Sequence, residues 1–231
     1  MAKTHSRRAY DYLKAQLVSG QLPPGSRILY GPVGKELGIS ATPVREAIGL
    51  LVNEGFVDLV PQLGAVVRTL GRREIIELYE MREALEPYAA EKAAERMDDE
   101  CLEAVRREFL AMQEIADNAN TGRLESDDRS VIRRFEEHDL AFHRLILESC
   151  GNELMIRTIE NSHVLSRIFA TDRHQYDGEI LQATCEDHEQ ILVALNGHDA
   201  VAARVAMREH IRKGLDVTLR LPVEKPDRRW K

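Results

Sequence analysis

Long apolar runs are absent from this 231-residue sequence, and so is any regular arrangement of cysteine. No stretch of about 18 apolar residues occurs, which predicts no transmembrane helix and no membrane partner. The first residues also lack the apolar segment of a secretory signal. The three cysteines (Cys101, Cys150 and Cys185) are odd in number and form no metal-type pair. They argue against a disulfide scaffold and suit a reducing cytoplasm.

Proline is nearly absent between residues 72 and 221, where Pro87 stands alone. By contrast, residues 1–71 hold nine of the 14 glycines and five of the eight prolines. Glycine and proline punctuate short elements. The composition therefore predicts a domain of short elements over 1–71, a helical domain over 72–221 and a flexible tail over 222–231. The hydrophobic content of 43% excludes wholesale disorder.

Charge is unevenly divided between these two parts. The whole chain carries a net charge of −7, but residues 1–70 carry +3 and the remainder carries −10. A basic head on an acidic body suggests a module that binds a polyanion, joined to one that does not. Chance variation in composition is the alternative explanation of so small an excess.

The N-terminal part has the pattern of a winged helix-turn-helix. Helices are predicted over 6–19 and 31–37, and a third is predicted to begin with Thr42 as its cap and Pro43 at its first position. The third helix has one apolar stripe, formed by Val44, Ala47, Ile48, Leu51 and Val52. Strands are predicted over 56–61 and 65–70. Such a fold can place its last helix in the DNA major groove, although a scaffold domain without DNA would share the pattern.

Several motifs in this part resemble the GntR-type bacterial repressors. They are Leu22-Pro23-Pro24-Gly25, Leu37-Gly38-Ile39-Ser40, Thr42-Pro43-Val44-Arg45-Glu46-Ala47, Leu51, Glu54-Gly55 and Gly64. The resemblance covers about residues 6–70 and implies binding of double-stranded DNA through Ser40, Thr42, Arg45 and the wing around Gly64. Members commonly carry arginine where this chain has Gly31 and Ala41. These two departures predict weaker phosphate attraction or a different base preference.

The C-terminal part has the periodicity of an all-α bundle. Six helices are predicted, over 72–97, 98–119, 125–149, 152–171, 177–196 and 198–220. The fold class is therefore mainly α, with an N-terminal winged helix-turn-helix containing a small β-hairpin and a C-terminal helical bundle.

Four residues of metal-ligating types interrupt apolar stripes of this bundle. Asp139 and His143 lie one turn apart on the third bundle helix, His188 lies on the fifth, and His210 lies on the sixth. Burying these groups without partners is costly, and one ion of Zn, Ni or Mn type satisfies them together. The alternative for each histidine alone is a hydrogen-bonded core residue, which we expect of His138, His163, His174 and His198.

The bundle also resembles the FCD-type effector domain of FadR-like GntR regulators, over about residues 72–215. The carrying motifs are Arg82-Glu83-Ala84-Leu85-Glu86-Pro87, Asp139-Leu140-Ala141-Phe142-His143, Gly151-Asn152, His188 with Ala194-Leu195, and Asp199 with Ala203, Met207 and His210. The resemblance implies a divalent metal at Asp139, His143, His188 and His210, and a small carboxylate as effector. Some branches lack the metal and bind acyl thioesters.

Two inward-facing polar residues are candidates for effector binding. Arg82 lies on an apolar stripe, where its guanidinium needs an anion: either an effector carboxylate or Glu86, four residues on. Asn161 interrupts another stripe, where it contacts either the effector or a neighbouring backbone group.

These observations predict a ligand-responsive transcription regulator, not an enzyme, that binds a palindromic operator as a homodimer. We expect a repressor with a divalent transition metal and a small carboxylate effector. The alternatives are a metal-free regulator of a larger acyl ligand and a metal-dependent enzyme with a DNA-binding head.

Overall fold

The computed structural model describes residues 4–121, 129–170 and 178–220. The described residues divide into two compact units, one of residues 4–71 with 164–170 and one of 72–163 with 178–220. Within these described ranges, no helix combines the length and apolar content needed to cross a membrane. The predicted tail over 222–231, residues 125–128 of the third predicted bundle helix and His174 lie outside the described residues.

The first unit contains a helix-turn-helix followed by a β-hairpin, as predicted, and a short strand before the helix-turn-helix that joins the hairpin in one sheet. It contains α1 (His5–Val18), β1 (Arg27–Ile28), α2 (Tyr30–Leu37), α3 (Ala41–Asn53), β2 (Val57–Val60) and β3 (Gly64–Val67). The sheet is antiparallel in the order β1-β3-β2. The hairpin register pairs Val57 with Val67 and Val60 with Gly64. Strand β1 was not predicted, because two residues are too few to show a period.

The start of α3 differs from the sequence prediction. Ser40, not Thr42, occupies the N-cap position, and its side chain makes no cap hydrogen bond. Pro43 is consequently the third helical residue, where its missing N–H still costs nothing because the first four N–H groups of a helix have no intrahelical partner. Val44, Ala47, Ile48 and Leu51 are buried, as the stripe predicts.

Helix α2 contains Gly34 because the turn into α3 passes directly over it. The helix ends at Gly38 in the left-handed conformation (φ 66°), and Ile39 N–H donates to the Gly34 carbonyl at 2.9 Å. A Cβ atom at position 34 would lie 2.8 Å from the Ile39 carbonyl oxygen. The close approach of the turn to α2 therefore excludes a side chain there.

We expect Gly34→Ala to destabilise the helix-turn-helix by about 1–3 kcal/mol, the usual cost of overpacking. Hydrogen exchange of the α2 and α3 amides in the intact chain measures this. Gly31→Ala is the matched control, because Gly31 lies on the same helix with no atom within 4 Å of an added Cβ. Equal exchange rates in the two variants would show that the turn does not restrict position 34.

The described secondary structure of the second unit is entirely helical. It contains α4 (Arg72–Arg96), α5 (Asp99–Asn120), α6 (Arg129–Ser149), α7 (Glu153–Ala170), α8 (Gly178–Asn196) and α9 (Ala200–Arg220). Of α7, only the part up to residue 163 belongs to this unit. Helix α4 packs along α9, α5 packs against α6 and α8, and α8 packs on α9. Asp98 caps α5 by accepting a hydrogen bond from Cys101 N–H at 2.8 Å, as expected for an acidic residue at a helix start.

Candidate metal centre and DNA-binding surface

Three helices of the second unit bring the four predicted metal ligands together. Helix α6 carries Asp139 and His143, α8 carries His188 and α9 carries His210, and one ligand atom from each lies within 4.8 Å of all the others. The histidines are buried, whereas the Asp139 side chain is 31% exposed. The cluster therefore has one carboxylate edge that solvent reaches.

The ring nitrogens of the cluster face one another at close range. His143 Nε2 lies 3.1 Å from His210 Nε2 and 3.4 Å from His188 Nε2. His188 Nε2 also lies 3.1 Å from Asp139 Oδ1. Four potential ligand atoms thus converge on one small space.

The tautomer of His188 follows from its second ring nitrogen. Nδ1 lies 2.8 Å from the Thr184 carbonyl oxygen, which only accepts, so Nδ1 carries the proton. In the neutral ring Nε2 then presents a lone pair to the Asp139 carboxylate and to His143. A proton shared between two of these atoms leaves the others unsatisfied, whereas a cation satisfies all four. The donor set therefore fits a divalent metal.

The protonation states of two of the four residues suit metal binding. Burial raises the pKa of the Asp139 carboxyl, but the nearby imidazoles of His188, His143 and His210 bring it well below its usual range. Burial, together with the charges of His188 and His143, lowers the pKa of His210 well below its usual range. At neutral pH Asp139 is therefore ionised and His210 neutral, the forms that ligate a metal.

A second buried cluster lies directly behind His143. Glu86 on α4 places Oε2 at 2.9 Å from His143 Nδ1 and Oε1 at 3.0 Å from Nε2 of His163 on α7. Burial would raise the pKa of Glu86, but the Arg82 guanidinium and His163 hold it well below its usual range. From the sequence, His163 is expected to be an ordinary core residue with no connection to the site. Because α4, α6 and α7 meet only in the folded chain, no local spacing could reveal this contact.

Arg82 pairs with Glu86, one of the two partners expected for it from the sequence. Its Nε donates to Glu86 Oε1 at 2.6 Å, and the residue is 7% exposed. Arg82 nevertheless also lines a cavity of about 480 Å³ in the second unit. One guanidinium carries five N–H donors, so the bond to Glu86 does not exclude a second acceptor. Asn161 is half-buried and is not among the residues that line this cavity.

The cavity adjoins the metal-ligand cluster, since Asp139 and His210 line it. Its polar walls include Tyr79, whose hydroxyl lies 3.0 Å from Thr218 Oγ1. The Thr218 hydroxyl donates to the Gly214 carbonyl, so Tyr79 donates to Thr218. The Asp, Glu, Lys and Arg residues of the lining are four acids and three bases: Asp139, Glu179, Asp187, Asp216, Arg82, Lys213 and Arg220. Without a metal ion these walls carry no net positive charge.

The predicted DNA-contacting residues lie in the first unit. Ser40, Thr42 and Arg45 are exposed at the start of α3, opposite its buried stripe. The Arg45 guanidinium carbon lies 5.7 Å from the centre of the Tyr30 ring, within cation–π range. Gly64 begins β3 with a φ of 83°, a conformation that favours glycine at the hairpin tip.

Two family models match this chain in the order that its two parts predict. The model described as "Bacterial regulatory proteins, gntR family" matches residues 5–67, and the FCD domain model matches residues 77–213. Both resemblances stated from the motifs are therefore confirmed.

Curated relatives match over most of the chain. It is 30% identical over 207 residues to the Nta operon transcriptional regulator of Aminobacter aminovorans, covering 88% of this chain and 90% of that protein. It is 29% identical over 216 residues to the probable D-xylose utilization operon transcriptional repressor of Paenarthrobacter nicotinovorans, covering 93% and 89%.

The solved structure of E. coli McbR/YncC has the same fold, with a TM-score of 0.78 at 22% identity over 95% of this chain and 99% of that one. Given both domain matches and relatives that span most of the chain, this protein belongs to the GntR family of DNA-binding bacterial transcription regulators and carries an FCD domain.

Proposed function

We propose that this regulator is a repressor whose operator affinity responds to a small carboxylate bound in the cavity beside Asp139 and His210. The observation that carries the proposal is the convergence of four ligand atoms, two of whose residues, Asp139 and His210, line that cavity. Relatives named as repressors, such as the D-xylose utilization operon repressor and GlaR of Escherichia coli, support the direction of regulation. Two protomers would bind a palindromic operator as a homodimer, because one small reading head gives limited specificity.

Asp139, His143, His188 and His210 would hold a divalent ion of the Zn, Ni or Mn type. That ion supplies positive charge and open coordination positions for a carboxylate. Arg82 would donate to the same carboxylate from the cavity wall. Because the lining acids outnumber the lining bases, we expect carboxylates to bind only to the metal-loaded chain.

Effector binding would shift the population between states of high and low operator affinity. Coupling of this kind is typically worth a 5- to 150-fold change in affinity. The operator contacts would come from Ser40, Thr42, Arg45 and the wing at Gly64.

A thermal-shift panel tests the proposal. Acetate, succinate and citrate are compared with the corresponding uncharged amides, with Zn²⁺ present and after EDTA treatment. We expect at least one carboxylate to raise the melting temperature of the metal-loaded chain alone, and to change its affinity for a selected operator duplex. Equal shifts with the amides, or stabilisation by acyl thioesters regardless of metal, would contradict the proposal.

A further inference from the structure

We propose that Glu86 is a positioning residue for the metal centre: held by Arg82 and His163, it fixes the orientation and tautomer of His143. The inference rests on the proposed metal site. It assigns a function to three buried residues, Arg82, Glu86 and His163, that supply no ligand to that site.

The contacts place Glu86 between the metal-ligand cluster and its surroundings. One carboxylate oxygen, Oε2, lies 2.9 Å from His143 Nδ1, and the other, Oε1, lies 2.6 Å from Arg82 Nε and 3.0 Å from His163 Nε2. A carboxylate at Nδ1 favours the tautomer with its proton on that nitrogen, because a carboxylate only accepts. The lone pair of His143 Nε2 is then directed towards His188 and His210.

The network is buried and is not fully hydrogen-bonded as it stands. Glu86 is 1% exposed, and Glu86 Oε2, His143 Nδ1 and His163 Nε2 lack a partner that meets the angular requirements of a hydrogen bond. Buried polar atoms normally have partners. Each of these atoms is within 3.0 Å of a complementary one, so small rotations of the two imidazole rings would be enough to align the donors with Glu86.

Glu86, His143 and His163 also have the composition of a second metal site. The position of Arg82 argues against that interpretation. Its guanidinium already supplies a positive charge at 2.6 Å from the same carboxylate, and a second cation there would be repelled. Outer-shell carboxylates behind a ligating histidine typically change metal affinity by about 10- to 100-fold when removed.

The experiment measures the Zn²⁺ dissociation constant of the full chain by competition with a chromogenic chelator. Glu86→Gln is compared with the wild type. The double variant Arg82→Met plus Glu86→Gln is included because it leaves no unpaired buried charge. Glu83→Gln is the matched control, since Glu83 lies on the same helix and pairs with the exposed Arg212. Both Glu86 variants are expected to bind Zn²⁺ about 10- to 100-fold more weakly, and Glu83→Gln within twofold of the wild type.

Two readouts separate positioning from a purely structural role. The absorption spectrum of the Co²⁺-loaded chain is expected to change in Glu86→Gln while the far-ultraviolet circular dichroism does not. Nitrogen NMR of the metal-free wild type, assigned with His143→Ala, is expected to show His143 protonated at Nδ1 before any metal binds. The NMR measurement needs no folded Glu86 variant.

Wild-type affinity in both Glu86 variants, or an Nε2-protonated His143 in the metal-free wild type, would overturn the positioning role. If the wild type bound two equivalents of Zn²⁺ and Glu86→Gln bound one, Glu86 would be a ligand of a second metal site, and the positioning role would be overturned. Failure of the proposed function would look different. The wild type would then bind no Zn²⁺, or His188→Ala would bind it as tightly as the wild type does.

Discussion

Replacing His188 by alanine is expected to abolish tight metal binding and the stabilisation that metal provides. His188 Nε2 lies within 3.4 Å of both Asp139 Oδ1 and His143 Nε2, so its loss removes a ligand from the middle of the cluster. It also removes the Nδ1 bond to the Thr184 carbonyl, which orients the ring. The remaining three ligands come from α6 and α9 alone.

The stabilisation that would be lost is large. A ligand present at about 1,000 times its dissociation constant stabilises the folded state by about 4 kcal/mol. For chains of this size each kcal/mol shifts the melting temperature by about 2–4 °C, so Zn²⁺ is expected to raise it by about 8–16 °C. Differential scanning calorimetry with and without Zn²⁺ measures this, and His188→Ala is expected to show no increase.

His138→Gln is the matched control for this experiment. His138 neighbours Asp139 in sequence but is 35% exposed, and its Nδ1 lies 2.7 Å from Glu108 Oε2. It is expected to keep the full metal-induced increase in melting temperature. An undiminished increase in His188→Ala would remove His188 from the ligand set.

Replacing Arg45 by alanine is expected to weaken operator binding by about 5- to 150-fold, corresponding to about 1–3 kcal/mol. Arg45 is exposed in the first turns of α3, where an arginine can contact base edges or phosphates. Positions 31 and 41 hold glycine and alanine, so neither supplies a further arginine beside Arg45. Fluorescence anisotropy with a duplex selected from a random library by the wild-type protein measures the effect.

The salt dependence of the same measurement identifies the type of contact. A lost phosphate contact reduces the slope of log affinity against log salt concentration by about one, whereas a lost base contact relaxes sequence preference at one position. Arg73→Ala is the control, because Arg73 lies in the second unit and pairs with Glu77 on the surface. Unchanged affinity and slope in Arg45→Ala would remove α3 from the DNA-binding surface.

The fold could be predicted from the sequence wherever a helical period was long. The stripe of α3 and the helices of the second unit repeat apolar residues over several turns, and their positions were predicted within a few residues. Strand β1 depends instead on its pairing with β3. The cap of α3 depends on which residue has the extended backbone that precedes the helix, and that residue is Ser40. A two-residue strand has no measurable period, and Ser40 and Thr42 both belong to the residue types preferred at an N-cap.

The candidate site was predictable in part for the same reason. Asp139, His143, His188 and His210 are recognisable because each interrupts an apolar stripe, and the family resemblance assigned the same four. Glu86 interrupts its stripe as well, but Arg82, four residues earlier, already explains its burial as one half of an ion pair. Its approach to His143 and His163 depends on how α4 packs in the bundle, which spacing within one helix does not encode.

Anomalous diffraction from crystals of the metal-loaded wild-type chain, collected above and below the absorption edge of the bound metal, would locate the metal directly. We expect one strong anomalous peak per chain, surrounded by Nε2 of His143, His188 and His210 and by an oxygen of Asp139. A peak bound by other residues, or no peak between these four side chains, would contradict it.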